Sequence, residues 1–193
     1  MNLADGWIIV PAYNEAPVIL ETLKPLIAAG YQVILVDDAS SDGTRQLVES
    51  LSGVRYIRHA VNLGQGAALQ TGMAYAHQQQ ARWVVHFDAD GQHRLADIPV
   101  LLEPLVDGRA DVALGSRFLS KAGRQAVPWR RRLLLKVGIL VNFLFSGLWL
   151  KDAHNGLRAL NHQALARIEL KSAGMAHATE ILQQIRNHHL RWE

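Results

Sequence analysis

The feature that most narrows the fold is an alternation repeated along the chain: a short run of β-branched and aliphatic residues, then polar residues, then a longer run with helical spacing. Residues 7–11 read as a strand and 18–29 as a helix, followed by a strand at 32–37. Ser40-Ser41-Asp42-Gly43-Thr44 has turn and capping chemistry and opens a helix over 44–51. A strand at 54–58, a turn at Asn62-Leu63-Gly64, and a helix over 66–79 follow, the last with Ala68, Leu69, Met73 and Ala76 as inward positions. Residues 83–87 form an apolar strand, 98–106 a helix, 112–114 a strand and 175–188 a final helix. Strand and helix in this order predict an α/β fold, with a mostly parallel central sheet flanked by helices on both faces.

Such sheets bind ligands outside the carboxyl ends of their strands. Polar residues gather at those ends: Asn14 and Glu15 after the first strand, Asp37 and Asp38 at the second, Asp88 and Asp90 at the fourth, Ser116 and Arg117 at the fifth. In Phe87-Asp88-Ala89-Asp90-Gly91-Gln92-His93 the two carboxylates are two residues apart, so a strand end would turn them the same way. Carboxylate oxygens suit a hard divalent cation, Mg²⁺ or Mn²⁺, shared with substrate phosphates. Gln92 is a candidate third oxygen ligand.

At 193 residues the chain is read as one domain spanning 1–193, with 49% hydrophobic residues as in globular proteins. A formal charge of +3 gives no argument for nucleic acid. The positive charge is concentrated in Arg117, Lys121, Arg124, Arg130, Arg131, Arg132 and Lys136. There is no cysteine, hence no disulfide or thiolate metal site, and no secretory signal is read at the start. Residues 128–150 are basic at first and apolar afterwards. They fit an amphipathic helix lying in a membrane surface, with a buried core helix as the alternative.

Six segments together resemble glycosyltransferase family 2, of the GT-A nucleotide-diphospho-sugar transferase fold. They are Val10-Pro11-Ala12-Tyr13-Asn14-Glu15, Val36-Asp37-Asp38-Ala39-Ser40-Ser41-Asp42-Gly43-Thr44, Asn62-Leu63-Gly64-Gln65-Gly66, Asp88-Ala89-Asp90-Gly91-Gln92-His93, Gly115-Ser116-Arg117-Phe118 and Asp152-Ala153-His154-Asn155-Gly156-Leu157-Arg158. The similarity is greatest to the branch of dolichyl-phosphate mannosyltransferases and polyprenyl-phosphate sugar transferases. Leu157 stands where that branch has an aromatic residue.

The resemblance implies a donor site formed by Pro11, Ala12, Tyr13, Glu15, Asp38, Gly64, Asp88, Ala89 and Asp90, with Asp88, Asp90 and Gln92 on the metal. It implies catalytic contributions from Asp90, Arg117 and Arg131, the arginines toward phosphate. Tyr13 also fits packing against the first helix, Asp37 fits a helix cap as well as a ligand, Gly64 and Gly66 fit close packing, and Arg158 fits a structural pair with Asp152. The histidines read as surface groups or supports for other side chains. Residues 1–117 would form the nucleotide-sugar half and 118–193 the acceptor and membrane-facing half, stopping short of the family's full length.

The implied activity is inverting transfer of a sugar from a GDP- or UDP-linked donor to a polyprenyl or dolichyl phosphate, peripherally at the cytoplasmic face of a membrane, in cell-envelope biogenesis. The sequence has no Glu-Asp pair to supply the base that a hydroxyl acceptor needs, which favours a phosphate nucleophile. Transfer to a saccharide or protein hydroxyl, and a non-catalytic sugar-nucleotide-binding module, are the competing readings. A dinucleotide-dependent dehydrogenase is disfavoured, because Pro11–Glu15 stands where a Gly-x-Gly-x-x-Gly turn would be.

Overall fold

The computed structural model describes residues 2–91, 93–115, 156–174 and 176–193. After a short 3₁₀ turn at Leu3–Asp5 the elements are β1 (Gly6–Ala12), α1 (Ile19–Ala28), β2 (Gln32–Asp37), α2 (Thr44–Glu49), β3 (Val54–Arg58) and α3 (Gln65–Gln78). They continue with β4 (Trp83–His86), α4 (Asp97–Val106), β5 (Val112–Leu114), β6 (Arg158–Asn161), α5 (His162–Arg167) and α6 (His177–Asn187).

The six strands form one sheet in the order β3-β2-β1-β4-β6-β5. The first four are parallel, as the alternation predicts. Strand β6, which the sequence reading did not expect, begins at Arg158, the last residue of the expected polar turn; residues 152–155 of that turn lie outside the described residues. The strand is inserted antiparallel between β4 and β5, with His86 opposite Arg158 and Trp83 opposite Asn161.

Period-two alternation buries both faces. Ile8, Val10, Val33, Leu35, Trp83 and Val85 point to one side, where they meet Ile19, Leu23 and Leu26 of α1 and Ile98 and Leu102 of α4. Ile9, Ile34, Val36 and Val84 point to the other, against Leu69 and Met73 of α3 and Ile181, Leu182 and Ile185 of α6. Strands covered on both faces need apolar residues at successive positions, which is why β1 and β2 read as nearly continuous hydrophobic runs.

At the far edge, Leu114 N–H donates to the Glu193 carbonyl (2.8 Å) and Glu193 N–H to the Val112 carbonyl (3.1 Å), so residues 191–193 lie alongside β5. Asp111 anchors this edge through a two-pronged pair with the Arg191 guanidinium, at 2.8 and 3.1 Å. Among the described residues no helix is long and apolar enough to cross a membrane. Residues 128–150, where an interfacial helix is expected, lie outside the described residues.

Candidate active site

The carboxyl ends of β1, β2 and β4 bring three loops together, each held by side chains from the next. Beyond β1, Asn14 adopts a left-handed conformation (φ 57°). Its N–H donates to Ser40 Oγ (2.9 Å), and its own Oδ1 accepts from Ser41 N–H (2.9 Å). Glu15 N–H donates to Thr44 Oγ1 (3.0 Å) and Ala16 N–H to Asp42 Oδ2 (3.0 Å). The first loop is thereby bound to the second. Pro11 and Ala12 are buried in β1, with the Ala12 carbonyl accepting from Asp38 N–H (2.8 Å). Tyr13 is 49% exposed and available to a ligand, so it is not a core packing residue.

The two aspartates at the end of β2, Asp37 within it and Asp38 just past it, have separate duties. Asp37 is fully buried and accepts from Ser40 N–H (2.8 Å) and the Tyr56 hydroxyl (2.5 Å), and it pairs with Arg58 (3.3 Å). Of its two expected roles, capping the turn is the one the structure displays. Asp38, expected to reach the base or ribose, is 3% exposed. Its Oδ1 accepts from Leu63 N–H (2.8 Å) and meets His59 Nδ1 (2.7 Å), and its Oδ2 accepts from Gly64 N–H (2.6 Å). His59 is braced in turn by Thr71 Oγ1 (2.8 Å). Asp38 therefore holds the 62–64 turn, and any ligand contact would be additional to these three bonds.

Gly64 is needed at this turn on two counts. Its φ is 93°, and a Cβ there would collide with the Ala173 carbonyl. At Gly66 a Cβ would strike the Ser172 carbonyl, while Gly66 N–H donates to Ala173 O (2.7 Å). The 171–174 loop thus packs directly on the first turn of α3. Glu180 secures it by accepting from Lys171 and Ser172 N–H (2.9 and 2.8 Å), and Gln70 by accepting from Leu170 N–H (2.7 Å).

The carboxylate pair lies just past β4, which ends at His86 rather than Phe87, and a turn at residues 89–90 separates the two groups. Asp90 is exposed, whereas the Asp88 side chain is only 19% exposed. Gln65 Nε2 donates to Asp88 Oδ1 (2.8 Å), and His93 Nε2 meets Oδ2 (3.1 Å). Burial pushes the Asp88 carboxyl up. The hydrogen bond and charge of His93, with the charge of Arg158, outweigh burial and hold it below its ordinary value. The Ala89 carbonyl accepts from Thr22 Oγ1 (3.0 Å), tying the turn to α1.

Half-buried Glu15 is pushed up, first by burial and then by the negative charges of Asp90 and Asp42. Asp88 held below its ordinary value, exposed Asp90 and half-buried Glu15 form an oxygen-rich donor set that fits a hard divalent cation. Among the described residues no three acidic or histidine side chains already converge at metal-binding distance. Gln92, Arg117 and Arg131 lie outside the described residues, as do Ser116, Asp152 and His154.

Sequence reasoning did not single out His59, Gln65, His93 and Glu180 as groups that place the site. Gln65 and His93 had a signal, their positions in the Asn62–Gly66 and Asp88–His93 segments. Of the other histidines, His162, His188 and His189 are exposed, while His177 is buried near Asp88 and Arg158, its pKa lowered chiefly by that burial. A cavity of about 630 Å³ opens at the opposite end of the sheet, lined in part by Trp83, Asp111 and Arg191. It contains neither Asp88 nor Asp90, and chemistry places the site at the carboxyl ends.

Several known proteins are similar to this chain in sequence. An uncharacterized protein of Methanocaldococcus jannaschii is 33% identical over 194 residues, covering 99% of this chain and 79% of that one. The UDP-N-acetylglucosamine–dolichyl-phosphate N-acetylglucosaminyltransferase of Methanococcus voltae is 32% identical, covering 82% of this chain and 70% of the relative. The polyprenol monophosphomannose synthase of Mycolicibacterium smegmatis is 30% identical, covering 86% and 64%. Residues 7–169, from the start of β1 to just beyond α5, match the Glycosyl transferase family 2. With its GT-A sheet and its carboxylates gathered at the strand ends, the chain belongs to glycosyltransferase family 2.

Proposed function

We propose that the chain transfers a sugar from a nucleoside-diphosphate donor, GDP- or UDP-linked, to a polyprenyl or dolichyl phosphate, with inversion and with a divalent metal. The observation that carries this reading is Asp88, kept ionised and aimed by Gln65 and His93 beside exposed Asp90. The names of two relatives, one acting with UDP-N-acetylglucosamine and dolichyl phosphate and one forming polyprenol monophosphomannose, support the acceptor class.

Asp88 and Asp90, with Gln92, would hold Mg²⁺ or Mn²⁺, which when bound offsets the charge of a departing diphosphate. Glu15 and Tyr13 line the nucleoside end, and the 62–66 turn sets the distance from there to Asp88. Residues 1–117 supply the donor half and 118–193 the acceptor half. Arg117, at the end of the donor half, and Arg131, in the acceptor half, bind phosphate oxygens, for which guanidinium forks are suited. A phosphomonoester is already largely dianionic at neutral pH, so attack needs no enzymatic base. Positioning the two substrates supplies most of the rate. The basic start of residues 128–147 would rest on anionic headgroups at the cytoplasmic membrane face, in service of cell-envelope glycans.

The test compares polyprenyl phosphate with polyprenol of equal chain length, using one sugar donor and Mn²⁺. Turnover on the phosphate alone is expected. Equal turnover on the alcohol would overturn the acceptor assignment.

A further inference from the structure

One buried titratable side chain has no part in the proposed chemistry. His86 is the last residue of β4, two positions before Asp88, and is 1% exposed. It lies in register with Arg158 of β6. Among the described residues neither of its ring nitrogens has a hydrogen-bond partner. Burial, then the charges of Arg158 and His177, push its pKa down.

A neutral imidazole presents one donor and one acceptor. Leaving both dry in the interior is costly, and buried polar atoms without a protein partner are commonly satisfied by ordered water. A water needs two or more polar neighbours to be held. Here the surroundings are polar: Arg158 is 3% exposed and His177 4% exposed, and the latter's Nδ1 is engaged with the Gly174 carbonyl (2.8 Å). An apolar residue in the same place would need none of this. Along β4 the neighbouring positions Val84 and Val85 are aliphatic.

We propose that ordered water fills the space between His86, Arg158 and His177, and that through this water His86 is a positioning residue for Asp88. The His86–Arg158 pair is the last rung of the β4–β6 ladder before Asp88. Water bridging His86 to the guanidinium fixes the end of the ladder from which the Asp88 carboxylate extends. The positioning role rests on the reading of Asp88 as a metal carboxylate. The water site does not.

Three measurements decide the matter: a high-resolution crystal structure of the wild-type chain, melting temperatures, and Mn²⁺ affinity without turnover. The variants are His86→Leu, which cannot hold water, and His86→Gln, which retains a donor and an acceptor. Solvent density touching a His86 nitrogen is expected. His86→Leu should lower the melting temperature by about 2–4 °C or more and weaken Mn²⁺ binding by about tenfold. His86→Gln should recover most of both, and it carries the test should the leucine variant fail to fold. Absence of density, or a leucine variant as stable as wild type, overturns the water site, because an apolar replacement of a truly dry histidine would be neutral or stabilising. Lost stability with unchanged Mn²⁺ affinity overturns the positioning role. Wild-type protein that binds no Mn²⁺ overturns the metal reading of Asp88 and with it the positioning role, while density and melting still judge the water site.

Discussion

Asp88 and Gly156 stand opposite each other two residues beyond the β4–β6 ladder, continuing the register that pairs His86 with Arg158. The Asp88 carboxylate lies so close to the Gly156 backbone that a Cβ on residue 156 would collide with it. Gly156 thus supplies the floor on which the Asp88 carboxylate rests. Gly156→Ala should displace Asp88, destabilise the fold by about 1–3 kcal/mol through overpacking, and weaken Mn²⁺ binding. Denaturant unfolding and Mn²⁺ titration check the two effects separately. An alanine variant with wild-type metal affinity would show that the carboxylate tolerates the shift.

Removal of Gln65 tests the other side of the same carboxylate. Gln65→Ala takes away the donor to Oδ1 while leaving His93 on Oδ2. A loss in Mn²⁺ affinity of about tenfold is expected, in the range seen for groups that orient metal ligands. Calorimetry on the variant with Mn²⁺ and a nucleoside diphosphate measures it.

Glu15 makes stability depend on pH. Its folded-state pKa is raised above the 4.5 of a free side chain. The fold therefore favours the protonated form, and the stability this contributes is complete below 4.5 and is lost as pH rises through the raised value. Glu15→Gln should flatten that part of the apo stability profile. Mn²⁺ on Asp88 and Asp90, as proposed, would offset the negative charge facing Glu15, so its stabilising effect should be greater at neutral than at acid pH. Thermal melts with and without Mn²⁺ across the range read both.

Asp38 is expected to matter for folding as well as for the donor. Asp38→Ala strips acceptors from Leu63 and Gly64 N–H and a partner from His59. The cost should be about 1–3 kcal/mol, with weaker nucleotide binding because the 62–66 turn is no longer held. A variant that loses nucleotide affinity at full stability would instead mark Asp38 as a direct ligand.

The parallel half of the sheet was legible because strands buried on both faces must be apolar throughout, and the four ends with polar residues named the functional edge. Strand β6 was not, since four residues opening with Arg158 look like turn chemistry until β4 and β5 are seen to need a partner between them. The Asp88-Ala89-Asp90 pattern marked the carboxylates. Their different exposure comes from a turn that begins right after the first of them, which no spacing rule conveys. Asp38 was read as a ligand because a strand-end aspartate has the same letter whether it faces substrate or a neighbouring loop. His59 and His86 are lone residues with no periodic companion, so only tertiary packing reveals what surrounds them.

The 62–66 turn is bonded at one end to Asp38 on β2 and at the other, through Gln65, to Asp88 past β4. A short stretch of backbone spans β1 and joins the two carboxylates as a tie rod joins two walls. A cation settling on Asp88 pulls on the rod, and a nucleoside settling against the first two loops pulls from the other end. The two ligands are then thermodynamically linked: whatever factor the metal adds to nucleotide affinity, the nucleotide must return to the metal. Cutting the rod at Gln65 would leave two sites that fill independently.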